Sequence, residues 1–325
     1  MGALVIIKRM NLKLKMLNQN LHNFWQSKAC IFKPATAFFM CFFIACFNQT
    51  SVAAQTKNAA NELNSKYTEL TTQLQNNQFN RPLYLNSIEN PNDLKGEIYA
   101  VVDYPFNKVN AALNNPDHWC DALILHINVK YCHAASNKSE RVLTMNIGNK
   151  VEQALADAYR IDLNYRNVST ASDYFAVELS AASGPLGTSD YLIWIEATPL
   201  NERQTFLHFT YAYAFGLASK LAMKTYLATI GRNKVGFTVN GKLSDGQPAY
   251  IKGIRGLVER NTMRYYLAID SYIAESTSPH NEQLELRLQR WFSATEQYLP
   301  QLHEVEWVDY LAMKHMEYQR QQIAQ

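Results

Sequence analysis

Arg260 and Arg264 stand four residues apart in the run Val258-Glu-Arg-Asn-Thr-Met-Arg-Tyr-Tyr266. On a helix this spacing puts both guanidinium groups on one face. Together they could grip Glu178, Glu196 or the carboxylate of a ligand through forked hydrogen bonds. The plainer alternative is a solvated basic face, because a buried arginine without an acid is costly. Acid–base catalysis would need a titratable pair with shifted pKa values inside a pocket, and His208 with Glu196 is the candidate. His126 and His133 flank a second strand but are seven apart, so they face opposite sides and read as solvated or hydrogen-bonded. The eight histidines never form His-Glu-x-x-His, and no paired-cysteine zinc spacing occurs. No nucleophile elbow, Walker loop or dinucleotide fingerprint is present either. Neither a cofactor nor a metal is therefore expected.

Five cysteines occur, but Cys30, Cys41 and Cys46 lie near the N-terminus, which leaves Cys120 and Cys132 in the body. An even pair in an exported protein permits a disulfide. One extended strand over 121–131 would hold the sulfurs about 35 Å apart. A disulfide therefore requires a helix-to-strand reversal near Leu123–His126.

The elements that must position these residues begin with a run of strands. Tyr159, Ile161, Leu163 and Tyr165 alternate with polar residues, as do Phe175, Val177 and Leu179. Tyr191, Ile193 and Ile195 follow, then Leu207, Phe209, Tyr211, Tyr213 and Phe215. Period-two alternation builds one apolar face per strand, and short turns between the strands suit an antiparallel meander. Such a face must be covered by a helix, a second sheet or a ligand. Phe209, Tyr211 and Tyr213 share that face and are candidate ligand contacts. Trp119 is a further candidate; core packing is the alternative for it and for Trp194, which could pack on the C-terminal helices and not face the cavity.

Upstream, Gly96–Tyr104 reads as a strand, Pro105 heads a helix carrying Val109, Ala112 and Leu113, and Asp117 can cap a short helix bearing Trp119. Leu63, Tyr67, Leu70 and Leu74 predict an amphipathic helix within an Asn-, Gln- and Thr-rich stretch. After Phe215 the period becomes helical, with two candidate long helices, Leu217–Ile230 and Leu257–Ala274. Lys234–Asn240 reads as a strand between them. Two more helices follow, Glu282–Tyr298 and His303–Gln319.

The formal charge of +3 conceals an asymmetry. Residues 1–54 hold six of the 31 basic residues and no acidic one, which leaves 25 basic against 28 acidic in the body, a net −3. No nucleic-acid footprint survives. Lys28 and Lys33 precede an apolar run, Ala35–Phe47, too short to span a membrane but suited to a secretion signal. Ser51-Val-Ala-Ala54 offers a cleavage site, and translation could start at Met10 or Met16. An uncleaved signal anchor, or a lipoprotein at Cys46, is the alternative.

Gly96-Glu-Ile-Tyr-Ala-Val-Val-Asp-Tyr-Pro-Phe-Asn-Lys-Val-Asn-Ala-Ala-Leu113, followed by His118-Trp119, resembles the opening of the START-like superfamily. This superfamily (also called SRPBCC) includes START lipid-transfer domains, plant pathogenesis-related allergens and polyketide cyclases. The resemblance rests on element order and covers about residues 94–275. It implies an α+β helix-grip fold, a curved antiparallel sheet wrapped on a long C-terminal helix, here with extra C-terminal helices. It also implies a tunnel for an apolar or amphipathic small molecule such as a lipid, and it transfers no catalytic residue.

The expected organisation is a signal segment at 1–54, a linker or accessory helix at 55–93, a START-like domain at 94–275 and a helical extension at 276–325. That extension would cap the pocket or mediate association. The expected protein is exported to the periplasm or envelope, and membrane contact would come through the leader or a lipid ligand. Two rival readings are a cyclase- or isomerase-type enzyme using the same cavity, and an envelope interaction protein with a filled core.

Overall fold

The computed structural model describes residues 50–136, 141–229 and 231–323. The basic and apolar runs of the expected leader, with Cys46, lie outside the described residues. The first described element is helix α1 (Thr50–Gln75), followed by β1 (Leu83–Glu89) and β2 (Asp93–Val102). Two short helices come next, α2 (Phe106–Leu113) and α3 (Pro116–Leu123). The meander is β3 (Val129–Ser136), β4 (Arg141–Ile147), β5 (Tyr159–Thr170), β6 (Phe175–Ser183), β7 (Thr188–Pro199) and β8 (Thr205–Phe215). Then come α4 (Leu217–Ala228), a small hairpin of β9 (Val239–Lys242) and β10 (Pro248–Tyr250), and the long helix α5 (Gly253–Ala274). The chain closes with α6 (Gln283–Glu296), α7 (Leu299–Leu302) and α8 (Trp307–Ile323).

The main sheet has eight strands in the order β1-β2-β8-β7-β6-β5-β4-β3, all antiparallel. Strand β2 pairs with the last meander strand, so the sheet closes back on the first strand of the START-like segment. Its inner face, including Ile161, Leu163, Val177, Leu179, Ile193, Ile195 and Phe209, packs in one core with α5. Tyr159 departs from the alternation: it sits at the start of β5 and is exposed.

Helix α5 settles which candidate is the grip helix. It buries residues on all sides, including Val258, Met263, Leu267 and Ile273, whereas α4 buries only Ser219 fully. A close approach makes this fit: a Cβ on Gly96 of β2 would collide with Thr262 of α5.

The stretch expected to be a linker or accessory helix takes part in the fold. Ala60, Leu63, Leu70 and Leu74 of α1 cover the outer face of the sheet at Tyr99, Tyr174, Ala176 and Phe206. Strand β1 adds an edge to β2 by registering Leu85 against Ile98. Trp194 packs against this outer cluster, on the side of the sheet that α1 covers.

The C-terminal helices belong to the core. Trp291 of α6 stacks on Tyr310 of α8 at 4.9 Å, and its Nε1 donates to the Arg264 carbonyl at 3.1 Å. Tyr310 Oη donates to the Leu125 carbonyl at 2.9 Å. Glu317 accepts from Lys130 at 2.9 Å and from Lys314 at 2.6 Å, all three buried.

Two local expectations are corrected. The cap of α3 is Asn115, whose side chain accepts from the Asp117 amide at 3.1 Å, and not Asp117 itself. Residues 234–238 form a loop and not a strand, because Glu259 captures it. The Glu259 carboxylate accepts from the Phe237 amide at 2.5 Å, the Thr238 amide at 2.9 Å and the Thr238 hydroxyl at 2.5 Å.

Candidate ligand-binding site

The inner face of the sheet presents a continuous chain of rings toward α5. Tyr191 of β7 stacks on Tyr213 of β8 at 5.3 Å, and Tyr213 lies 5.6 Å from Tyr211. Tyr211 meets Tyr265 of α5 at 5.1 Å, and Tyr265 stacks on His126 at 4.2 Å. Period-two alternation on β8 and helical direction on α5 bring these rings together. Burial raises the Tyr211 and Tyr265 phenols well above their ordinary value, with smaller contributions from neighbouring tyrosines.

Arg264 precedes Tyr265 on α5, and the basic cluster starts there. Its Nη2 donates to Glu304 at 2.5 Å and to the Leu302 carbonyl at 3.3 Å. Lys150, in the loop after β4, donates to the same Glu304 oxygen at 2.6 Å and to Tyr226 Oη at 3.0 Å. Lys234 donates to the His303 carbonyl, and its ammonium lies 3.6 Å from Glu304. Arg260, one turn before Arg264, donates to the Val235 carbonyl at 3.1 Å. Both arginines are buried, at 0% and 1% exposure, so the solvated basic face is overturned. The expected partners are also replaced: Glu178 pairs with Arg166, Glu196 with His208, and the acid that meets Arg264 is Glu304.

The charges shape one another. Burial pushes Glu304 up, but Arg264 and Lys150 outweigh it and hold the carboxyl below its ordinary value. Burial and then Arg264 bring Lys150 down to about 8 and Arg260 down to about 10, so Arg260 stays charged at neutral pH. Burial, with Arg264 and Lys314, lowers His126 well below its usual value. Its Nδ1 accepts from the Asn128 amide at 3.1 Å, so the neutral ring carries its proton on Nε2.

One helix roofs both clusters. Met223, Tyr226 and Leu227 share a face of α4; Met223 Sδ accepts from Tyr213 Oη at 3.6 Å, and Tyr226 accepts from Lys150. The opposite face of α4 leaves Leu217 and Leu221 exposed.

Of the candidate contacts, Tyr211 and Tyr213 come together in the ring chain, whereas Arg260 and Arg264 come together in the basic cluster. Phe209 lies deeper in the same face and is fully buried. Trp119 is core: its Nε1 donates to the Leu113 carbonyl at 2.8 Å, and its ring is fully buried. Cys120 and Cys132 are joined in a disulfide with Cα atoms 5.1 Å apart, across the reversal between α3 and β3. His208 and Glu196 do meet, at 2.7 Å, but on the outer face beneath α1, where His208 stacks on Tyr99 at 4.1 Å. Burial lowers His208, yet Glu196 and Glu97 outweigh it and raise its pKa, so a charged pair is favoured there. An enzyme using the space between sheet and α5 would have to do without this pair.

Sequence reasoning missed Lys150, Tyr226, Lys234 and Glu304, which sit in loops or on α4 and carry no periodic signal. Two open clefts, of about 490 and 580 Å³, lie elsewhere. One is lined by Phe79, Phe237, Tyr250 and Tyr298, the other by Arg81, Asp270, Glu275 and Arg290. Neither is lined by the tyrosine chain.

No family model matches the sequence, and no curated protein matches it. Solved structures similar to the chain include an aromatase/cyclase from Streptomyces sp. R1128, 9% identical, with a TM-score of 0.34, covering 59% of this chain and 93% of its own. Norcoclaurine synthase from Thalictrum flavum, in complex with dopamine and hydroxybenzaldehyde, is 11% identical with a TM-score of 0.34, covering 61% and 91%. Human StAR-related lipid transfer protein 5 is 9% identical with a TM-score of 0.29, covering 54% and 93%. At such identities the fold assignment rests on the strand order instead. By that order, and by the long helix that the sheet encloses, the chain has a START-like, helix-grip fold.

Proposed function

We propose that the protein binds an apolar or amphipathic small molecule between the sheet and α5, admitted beneath α4. The observation that carries this reading is the chain of rings from Tyr191 to His126, roofed by a helix that buries only Ser219 fully. Tyrosines supply apolar walls with polar tips, which suits an amphipathic guest. A roof held by so few buried residues opens at low cost. The experiment is native mass spectrometry of protein purified from its own host, with titration of a fluorescent fatty acid analogue. A co-purified lipid mass and saturable probe binding support the reading. Absence of both counts against it.

A second reading, an interaction protein with a filled core, is favoured by the complete burial of Phe209 and by the exposed Leu217 and Leu221 of α4. Failure of every apolar probe to bind would favour it.

The proposed compartment is the envelope or periplasm, with cleavage near Ala54. N-terminal sequencing of mature protein should start near Gln55, and a mature chain that retains residues upstream of Ala35 would refute cleavage.

A further inference from the structure

Three basic side chains, Lys150, Lys234 and Arg264, meet one carboxylate, that of Glu304, and a fourth, Arg260, stands one helical turn from Arg264. Like charges one helical turn apart repel, and here both guanidinium groups are also stripped of solvent. Glu259 lies beside Arg260 in sequence, but its oxygens are occupied by the loop at Phe237 and Thr238 and by the Ser87 hydroxyl. Among the described residues, Nε and Nη2 of Arg260 and Nε and Nη1 of Arg264 donate to nothing. His126 Nε2 likewise has no partner. Water could accept hydrogen bonds from such atoms but would bring no opposing charge. An oxyanion supplies both at once, and the planar fork of arginine suits carboxylate and phosphate oxygens.

The layout fits a guest entering from outside. The buried guanidinium groups form the floor, while Lys150 and Lys234, with side chains 21% and 23% exposed, form a rim open to solvent. Tyr226 reaches Lys150 from α4, and His126, whose charge Arg264 opposes, stacks on Tyr265, which in turn meets Tyr211. We propose that Arg260, Arg264, Lys150 and Lys234 form an oxyanion site that holds the carboxylate or phosphate group of a bound small molecule. This deepens the reading above and rests on it for the placement of the apolar part of the guest.

The test titrates the full chain calorimetrically with laurate and dodecyl phosphate below their micelle-forming concentrations, with dodecanol below its solubility limit, and with inorganic phosphate. Laurate or dodecyl phosphate should bind at least tenfold more tightly than dodecanol. Arg260→Gln should weaken the anions at least tenfold and leave dodecanol unchanged. Because Arg260→Gln relieves repulsion, the unliganded variant should melt no lower than wild type, which separates loss of site from loss of fold. Lys150→Gln, at the rim, provides the same comparison in a second variant. Inorganic phosphate binding as tightly as dodecyl phosphate, and lost in Arg260→Gln, would uphold the oxyanion site but assign it a free anion, against the amphipathic reading. Equal binding of laurate, dodecyl phosphate and dodecanol, or anion binding indifferent to both variants, would overturn the inference and leave the apolar reading standing. Binding of none of the four would overturn both.

Discussion

Glu304 accepts from Arg264 at 2.5 Å, which ties the segment after α7 to the middle of the grip helix, 40 residues back along the chain. Arg264 is 1% exposed, so this contact neutralises a charge that would otherwise lie unpaired inside the protein. Removing one partner of a buried pair leaves the other uncompensated. Glu304→Gln should therefore lower stability by about 3–5 kcal/mol. The double variant Glu304→Gln/Arg264→Met should recover much of that loss. Urea unfolding reads both, and a loss in the single variant that the double variant deepens would contradict this account.

Phe209 and Tyr211 share one face of β8 but differ in role. Phe209 is fully buried in the core, so Phe209→Ala should cost about 3–5 kcal/mol. Tyr211 lies in the ring chain, and Tyr211→Ala should cost less stability than Phe209→Ala while weakening fatty acid probe binding severalfold. Thermal melting against probe titration separates the two. Equal destabilisation by both, with no probe bound by wild type, would favour the filled-core reading.

The Cys120–Cys132 disulfide closes a loop over a sequence separation of 12. Cross-linking a loop of that size restricts the unfolded chain by about 3 kcal/mol. Cys120→Ser/Cys132→Ser should lose about that much, and reductant should lower the melting temperature of wild type but not of the double variant. Two freely alkylated thiols in native protein would show that the bond does not form in solution.

Lys150 makes stability depend on pH in a definite direction. Burial, reinforced by Arg264, holds its ammonium down at about 8 against an ordinary 10.5, and burial holds Lys314 near the same value. Between those values the unfolded chain binds the proton more readily than the folded one, so stability rises with pH. Unfolding free energy should increase from pH 7.5 to 8.5, below the range where tyrosines ionise in the unfolded chain. Lys150→Met should flatten the rise. An equal slope in both proteins would mean that Lys150 does not titrate as argued.

Much of the sheet was legible because strands read one residue at a time. Ile161, Leu163, Val177, Ile193 and Phe209 all fall on the inner face, as alternation requires. The grip helix was harder to find. A helix buried on every side, with Glu259, Arg260 and Arg264 inside, carries no clear apolar stripe, whereas α4 has helical spacing yet remains peripheral. The strand expected at Lys234–Asn240 failed because a side chain far along the chain, Glu259, holds that backbone as a loop.

By itself the sequence determined the meander, the Pro105-headed helix, the disulfide conditional on a reversal, and the shared helical face of the two arginines. These depend on residues close together in the chain, where period and steric preference act directly. The tertiary structure alone decided that Arg260 and Arg264 are buried, that Glu304 and not Glu178 or Glu196 meets Arg264, and that His208 and Glu196 pair on the outer face. Those outcomes depend on which distant segments share a low-dielectric interior, where burial and charge pairing override local pattern.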